Sequence, residues 1–156
     1  REIWPAFRES HPDARTYIVG SRMPSELRRI GEAAGLDMLG YVADLQPLLN
    51  GCRLSVTPLR YGAGVKGKVN QSLAAGLPVV ATPTAIEGMV LEHERDILVA
   101  EEPAMMVTEM SRLYRDDALW QRLSENGRQR IREQFSSEVA KAGLRRIVLA
   151  DVSASR

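Results

Sequence analysis

Residues 78–82, Pro-Val-Val-Ala-Thr, restrict the fold more than any other stretch of this chain. A strand with one face in water alternates apolar and polar residues, and this run has no polar face. It reads as a strand covered on both sides. Four other short apolar runs resemble it: "TYIVG" (16–20), "MLGYV" (38–42), "RLSVTP" (53–58) and "DILVA" (96–100). Between them lie segments with helical spacing. Ser25 is placed to cap a helix whose apolar face is Leu27 and Ile30 and whose stop is Gly35. Asp44 can cap "LQPLLNG", and "KVNQSLAAG" follows a glycine-rich loop.

Ile3, Trp4 and Phe7 open the chain at helical spacing, and after Pro103 the pattern is wholly helical. "AMMVTEMSRLY" is amphipathic through Met106, Met110, Leu113 and Tyr114. "ALWQRLSENGRQRIREQF" and "SSEVAKAGLRRIVLA" follow, and "DVSASR" reads as a fraying tail. Strands thus alternate with helices and then helices alone finish the chain at about 103–150. That order specifies an α/β fold, a parallel sheet flanked by helices with right-handed crossovers. A length of 156 residues suits one domain, 1–156.

Composition excludes more than it assigns. Lys and Arg number 21 against 20 Asp and Glu, a net charge of +1, so no basic stripe marks a nucleic-acid binder. Cys52, the single cysteine, allows no internal disulfide and reads as a small apolar filler. No run approaches the roughly 20 apolar residues of a membrane span. His11, before Pro12, reads as a surface residue, and His93 has no partner in sequence. Trp4 and Trp120 read as packing anchors. "EHERD" and "GRQRIRE" read as solvated charged faces; the basic one could alternatively meet an anionic membrane surface. The chain lacks an initiator Met and opens inside a helix pattern, so it is expected to be part of a longer protein, with a cytoplasmic location as the default.

In open parallel sheets ligands sit beyond the C-terminal ends of the strands. Three loops leave such ends: "GSRMPS", "GYVADL" and "PLRYGAGVKG". The last spells two phosphate motifs. Gly62 to Lys68 match G-x-x-x-x-G-K, but Val69 follows where a hydroxyl must hold magnesium. Gly62, Gly64 and Gly67 match G-x-G-x-x-G, and Glu87 follows at about the 20-residue spacing of a ribose-binding acid. Yet this loop follows the third strand at a distance, and Glu87 lies beyond the fourth. Physics favours a third reading: glycines expose N–H groups at a helix start, where the peptide dipoles attract an anion. Arg60, Lys66 and Lys68 add positive charge. On the helix, Lys68, Gln71, Ser72 and Ala75 share one face, and Val69, Leu73 and Gly76 form its neighbour. The loop reads as a receiver of a phosphorylated ligand; the alternative is a solvated basic turn.

Three segments, "HPDARTYIVG", "LGYVADLQPLLNGCRLSVTPLRYGAGVKGKVNQSLAAGLPVVATPTAIEGM" and "LYRDDALWQRLSENGRQRIREQFSSE", together with the F-S before the last helix pattern, resemble successive parts of one family. The chain looks like the C-terminal, donor-binding domain of a GT-B glycosyltransferase of family 4, group 1. The resemblance covers nearly the whole chain. It implies a Rossmann-like sheet whose first strand, carrying a "G-R", is missing here, together with the N-terminal acceptor domain. It also implies transfer of a hexose-type sugar from a nucleotide diphosphate sugar, with retention, in polysaccharide or glycoconjugate synthesis. No cofactor and no metal are implied, and peripheral membrane contact would come through the full-length protein.

By position, Tyr41, Val42, Asp44 and Leu45 would line the base pocket. Gly64 and Val65 would face the diphosphate, and Lys68, or Lys66 or Arg60, would offset its charge. Gly20, Gly62, Ala63, Gln71 and Ser72 complete the donor-facing set. The family's E-x7-E signature falls on Ala63 and Gln71, so neither glutamate is present. Gln71 still offers a carbonyl oxygen to a ribose, without the strength of a carboxylate. Two other readings stay open: a binding or assembly module that keeps the fold, and a sugar-nucleotide epimerase, whose acidic and histidine residues find no place in this cleft. Glu87 lies on the donor side in family members.

Overall fold

Five strands form two parallel ladders in the computed structural model, which describes residues 2–62, 66–135 and Lys141. The chain runs α1 (Ile3–Ser10), β1 (Tyr17–Val19), α2 (Ser25–Ala33), β2 (Asp37–Gly40), α3 (Gln46–Gly51) and β3 (Ser55–Thr57). It continues through α4 (Gly67–Ala74), β4 (Val79–Ala81), α5 (Pro83–Ile86), β5 (Leu98–Val99), α6 (Pro103–Arg115) and α7 (Asp117–Phe135). β1 pairs with β2, and β3-β4-β5 form the second ladder, every pair parallel. The expected parallel α/β order is present, but as two pieces rather than one continuous sheet. The expected third C-terminal helix and the tail lie outside the described residues.

β4 explains the layering. Val79, Val80 and Ala81 are each 0% exposed. Val80 points into one core with Trp4 and Phe7 of α1, Leu98 of β5, Met106, Met110 and Leu113 of α6, and Leu119 and Leu123 of α7. Val79 and Ala81 point into a second core with Val69 and Leu73 of α4, Ala85, Ile97 and Ile131. Both faces are covered, as the missing polar face requires. Both tryptophans are anchors: Trp4 Nε1 donates to Ala34 O at 3.0 Å and Trp120 Nε1 to Arg53 O at 2.5 Å.

Several local expectations are corrected. α2 begins at Ser25 itself behind Pro24, with no side-chain cap, and Leu27 is 51% exposed. That helix instead packs through Gly31, where a Cβ would lie 2.3 Å from Met38 Sδ. β2 ends at Gly40, whose φ of +73° turns the chain out of the pleat, so Tyr41 and Val42 belong to a loop. His11 is buried, 6% exposed, with its ring stacked on Tyr114 and edge-on to Phe7 where α1 meets α6. His93 is not idle, because its Nδ1 accepts the Val99 N–H at 2.9 Å.

"EHERD" and "GRQRIRE" are mostly exposed, as expected of solvated faces, but Asp96 and Arg130 depart from that reading. Asp96 is 2% exposed and accepts from the Glu92 N–H at 3.1 Å and from Arg130 Nε at 3.2 Å. Arg95 and Arg130 both reach Glu92. The two charged segments neutralise one another and pin the turn before β5 to α7.

Candidate functional site

The loops at the C-terminal ends of the strands are held by backbone-directed bonds. The Gly20 N–H donates to Gly40 O at 2.8 Å, tying the loop after β1 to the end of β2. The Arg28 guanidinium donates to Met38 O at 2.9 Å from below. Thr82, at the end of β4, donates its hydroxyl to Leu59 O at 2.6 Å and so fixes where the loop after β3 begins. Thr82 is buried, and sequence reasoning missed it; its position directly after the apolar run was the available signal.

Beyond β2, Tyr41 is 75% exposed, a ring with no cover. Val42 and Leu45 are half-buried and Asp44 is exposed. Asp44 Oδ1 accepts the Gln46 N–H at 2.9 Å, so its carboxylate caps the start of α3 as the sequence suggested. One carboxylate oxygen remains free of that bond for another donor.

Beyond β3, Arg60, Tyr61 and Gly62 are exposed, and Lys66 Nζ donates to Gly62 O at 3.1 Å, closing the base of the glycine loop. Ala63, Gly64 and Val65 lie outside the described residues. Helix α4 starts at Gly67, with the Val69 and Asn70 N–H groups both returning to Lys66 O, at 3.0 and 3.1 Å. Lys68 and Gln71 are exposed on this helix, with Val69 and Leu73 turned into the core. Ser72 departs from the expected polar face. It is buried, and its hydroxyl donates to Ser55 Oγ at 3.0 Å, seating α4 on β3 rather than reaching outward.

Arg60 lines a cleft of about 340 Å³ with Thr82, Glu101, Glu102 and Met106, across the ends of β3, β4 and β5. Glu101 and Glu102 were not singled out in the sequence, although they directly follow the "DILVA" strand. Glu87 is exposed after α5 and touches none of these residues through a hydrogen bond or ion pair. Among the described residues no group of three or more His, Cys, Asp or Glu is placed to hold a metal ion. Burial pushes the half-buried Cys52 thiol up from its ordinary range, which favours the thiol over the thiolate. Also among the described residues, no helix is long and apolar enough to cross a membrane.

An electropositive helix start, with Lys68 and Gln71 beyond the end of β3, is chemically suited to an anionic ligand with hydroxyl groups. The family model of glycosyl transferases group 1 matches residues 1–116. The chain belongs to that family. No curated protein matches it. Among solved structures, TarM is 17% identical with a TM-score of 0.79, over 92% of this chain and 30% of that one. Anabaena Alr3699/HepE, solved in complex with UDP and glucose, is 17% identical at a TM-score of 0.74, over 90% and 43% of the two chains. The C-terminal domain of a group 1 glycosyl transferase, LpcC from Francisella tularensis, is 17% identical at 0.70, over 86% and 77%. These likenesses establish the fold, a GT-B glycosyltransferase α/β domain. The chain spans less than half the length of TarM and of HepE.

Proposed function

We propose that this chain is the nucleotide-sugar donor-binding half of a retaining glycosyltransferase that moves a hexose-type sugar onto an acceptor in polysaccharide or glycoconjugate synthesis. The observation that carries the reading is the start of α4. It follows a glycine-rich loop beyond β3, has no side-chain cap and carries the exposed Lys68, in a chain of the group 1 family. HepE, of the same fold, was solved with UDP and glucose, which supports a nucleoside diphosphate sugar as donor.

In this reading the diphosphate sits against the α4 start, with Lys68 as its main counter-charge and Arg60 and Lys66 at its flanks. The helix dipole and these cations stabilise the negative charge that grows on the leaving diphosphate, and no metal is required. Tyr41, Val42 and Leu45 give the base an apolar wall, and Asp44 an acceptor. Gln71, in the place of a carboxylate, accepts from the ribose through its amide oxygen. The acceptor and the groups that activate it come from another domain, so the chain alone turns over no donor.

Steady-state transfer by the full-length protein tests the proposal. Sugar transfer that survives chelation of divalent metals, with the anomeric configuration kept, supports it. A protein that binds nucleoside diphosphates but neither transfers sugar nor hydrolyses the donor would leave only the binding-module reading, which the substitution of both family glutamates favours.

A further inference from the structure

Three loops leave the C-terminal ends of β1, β2 and β3, and the donor-binding reading employs only the last two. The first, Gly20 to Pro24 between β1 and α2, has no part in it. It is tied to the site all the same. The Gly20 N–H donates to Gly40 O at 2.8 Å, so Arg22 stands two residues beyond that bond on one strand and Tyr41 one residue beyond it on the other.

The backbone at Arg22 is strained. Its φ is +56°, in the left-handed region where a Cβ crowds the neighbouring carbonyl. A turn that needs this backbone takes glycine freely, as the chain does at Gly35, Gly40, Gly76 and Gly88, with φ between +73° and +79°. Among the described residues only Arg22 and Glu94, at +63°, hold such a conformation with a side chain attached. Glu94 is kept there by its own bonds. Its N–H donates to Ile97 O at 2.8 Å and its carboxylate pairs with Arg112. Arg22 has no such compensation: it is exposed, and among the described residues its side chain makes no hydrogen bond or ion pair.

Glycine would form this turn without strain, so the guanidinium serves something outside the fold. Its chemistry narrows the choice. A guanidinium carries a permanent charge and a planar fork of donors that matches two oxygens of one anionic group. The donor that the functional reading places in this crevice brings such a group, a phosphate, directly attached to the nucleoside that meets Tyr41.

We propose that Arg22 is a phosphate-binding residue of the donor site, taking the phosphate next to the nucleoside and sharing the diphosphate with Lys68 at the start of α4. The left-handed backbone sets a charged side chain where glycine would leave none. This assignment rests on the donor-binding reading, and it adds a cation from a loop that reading leaves idle.

Calorimetric titration of the full-length protein with UDP and GDP, run beside urea unfolding, tests it through Arg22→Gly and Arg22→Gln. Arg22→Gly relieves the backbone and removes the charge. Its urea midpoint should rise while affinity for the nucleotide that binds falls about tenfold. Arg22→Gln keeps the strain and loses only the charge, so the midpoint should hold while affinity falls about as far. UMP or GMP should lose as much as the matching diphosphate, because the contact is to the inner phosphate. Wild-type affinity in either variant overturns the proposal and leaves the donor reading standing, as does a loss seen with the diphosphate alone. A lower midpoint for Arg22→Gly overturns it too, since the strain would then not exist. A wild-type protein that binds neither UDP nor GDP overturns the donor reading and this assignment with it.

Discussion

Gly127 sits in the middle of α7 against α4, the helix that carries Lys68 and Gln71, and its replacement by alanine reports on how α4 is seated. In an open helix the change gains about 1 kcal/mol of propensity. Here a Cβ would lie 2.8 Å from Leu73 Cδ2 and 3.0 Å from the Asp96 carbonyl oxygen. Leu73 is sealed in the core and has no open space to swing into, and the carbonyl is backbone. Overpacking of this kind costs about 1–3 kcal/mol, so the net effect is a destabilisation of about 1 kcal/mol. Gly51, at the exposed end of α3 with nothing within 4 Å of its Cβ position, is the control, and Gly51→Ala should stabilise by up to about 1 kcal/mol. Urea unfolding of both variants measures the difference. If Gly127→Ala stabilises as much as Gly51→Ala, close packing of α7 on α4 is not what seats the site helix.

Other substitutions separate buried from exposed charge. Asp96→Ala strands the Glu92 N–H and takes from Arg130 its buried carboxylate partner, leaving it Glu92, and should lose about 2 kcal/mol in urea unfolding. Asp117→Ala, at a pair with Arg53 whose carboxylate side chain is 89% exposed, should lose less than about 1 kcal/mol by the same measurement. Burial, and then the neighbouring Arg115, hold His11 below its ordinary value of 6.5, so the fold favours the neutral ring. Its contribution to stability is complete above that value and is lost as pH falls through the lowered one; His11→Gln should flatten the stability–pH curve below 6.5, measured by urea unfolding across pH. Lys68→Ala should weaken nucleoside diphosphate binding about tenfold in calorimetry, with an unchanged urea midpoint, because the side chain is exposed.

What was legible in the sequence follows from which signals are local. The apolar run at 78–82 names its own environment, since only a strand covered on both sides lacks a polar face, and each of the five strands falls on one of the apolar runs, with β2 displaced to start at Asp37 and end at Gly40. The α4 start was legible too, because glycines, lysines and helix periodicity lie within a few residues of one another. Long-range pairing left no local trace. Nothing near His11 shows that Tyr114 and Phe7 close over it, and nothing in "EHERD" shows that Arg130 lies opposite Asp96. Ser72 has the spacing of an outward polar residue, but Ser55 on β3 takes its hydroxyl. Helix periodicity cannot separate two adjacent faces of so short a helix. Tyr41 and Val42 read as strand until Gly40's left-handed backbone ends the pleat.

The central claim is that the crevice beyond β2 and β3 holds a nucleoside diphosphate against the start of α4. Titration of the isotope-labelled protein with UDP or GDP, followed by amide NMR, tests it most directly. The account predicts saturable shifts at Gly67, Lys68 and Gln71 and at Tyr41 to Leu45, with Val80 and Leu113 unmoved. No shift in those two segments at millimolar nucleotide, or shifts confined to the opposite face near Trp120, would contradict it.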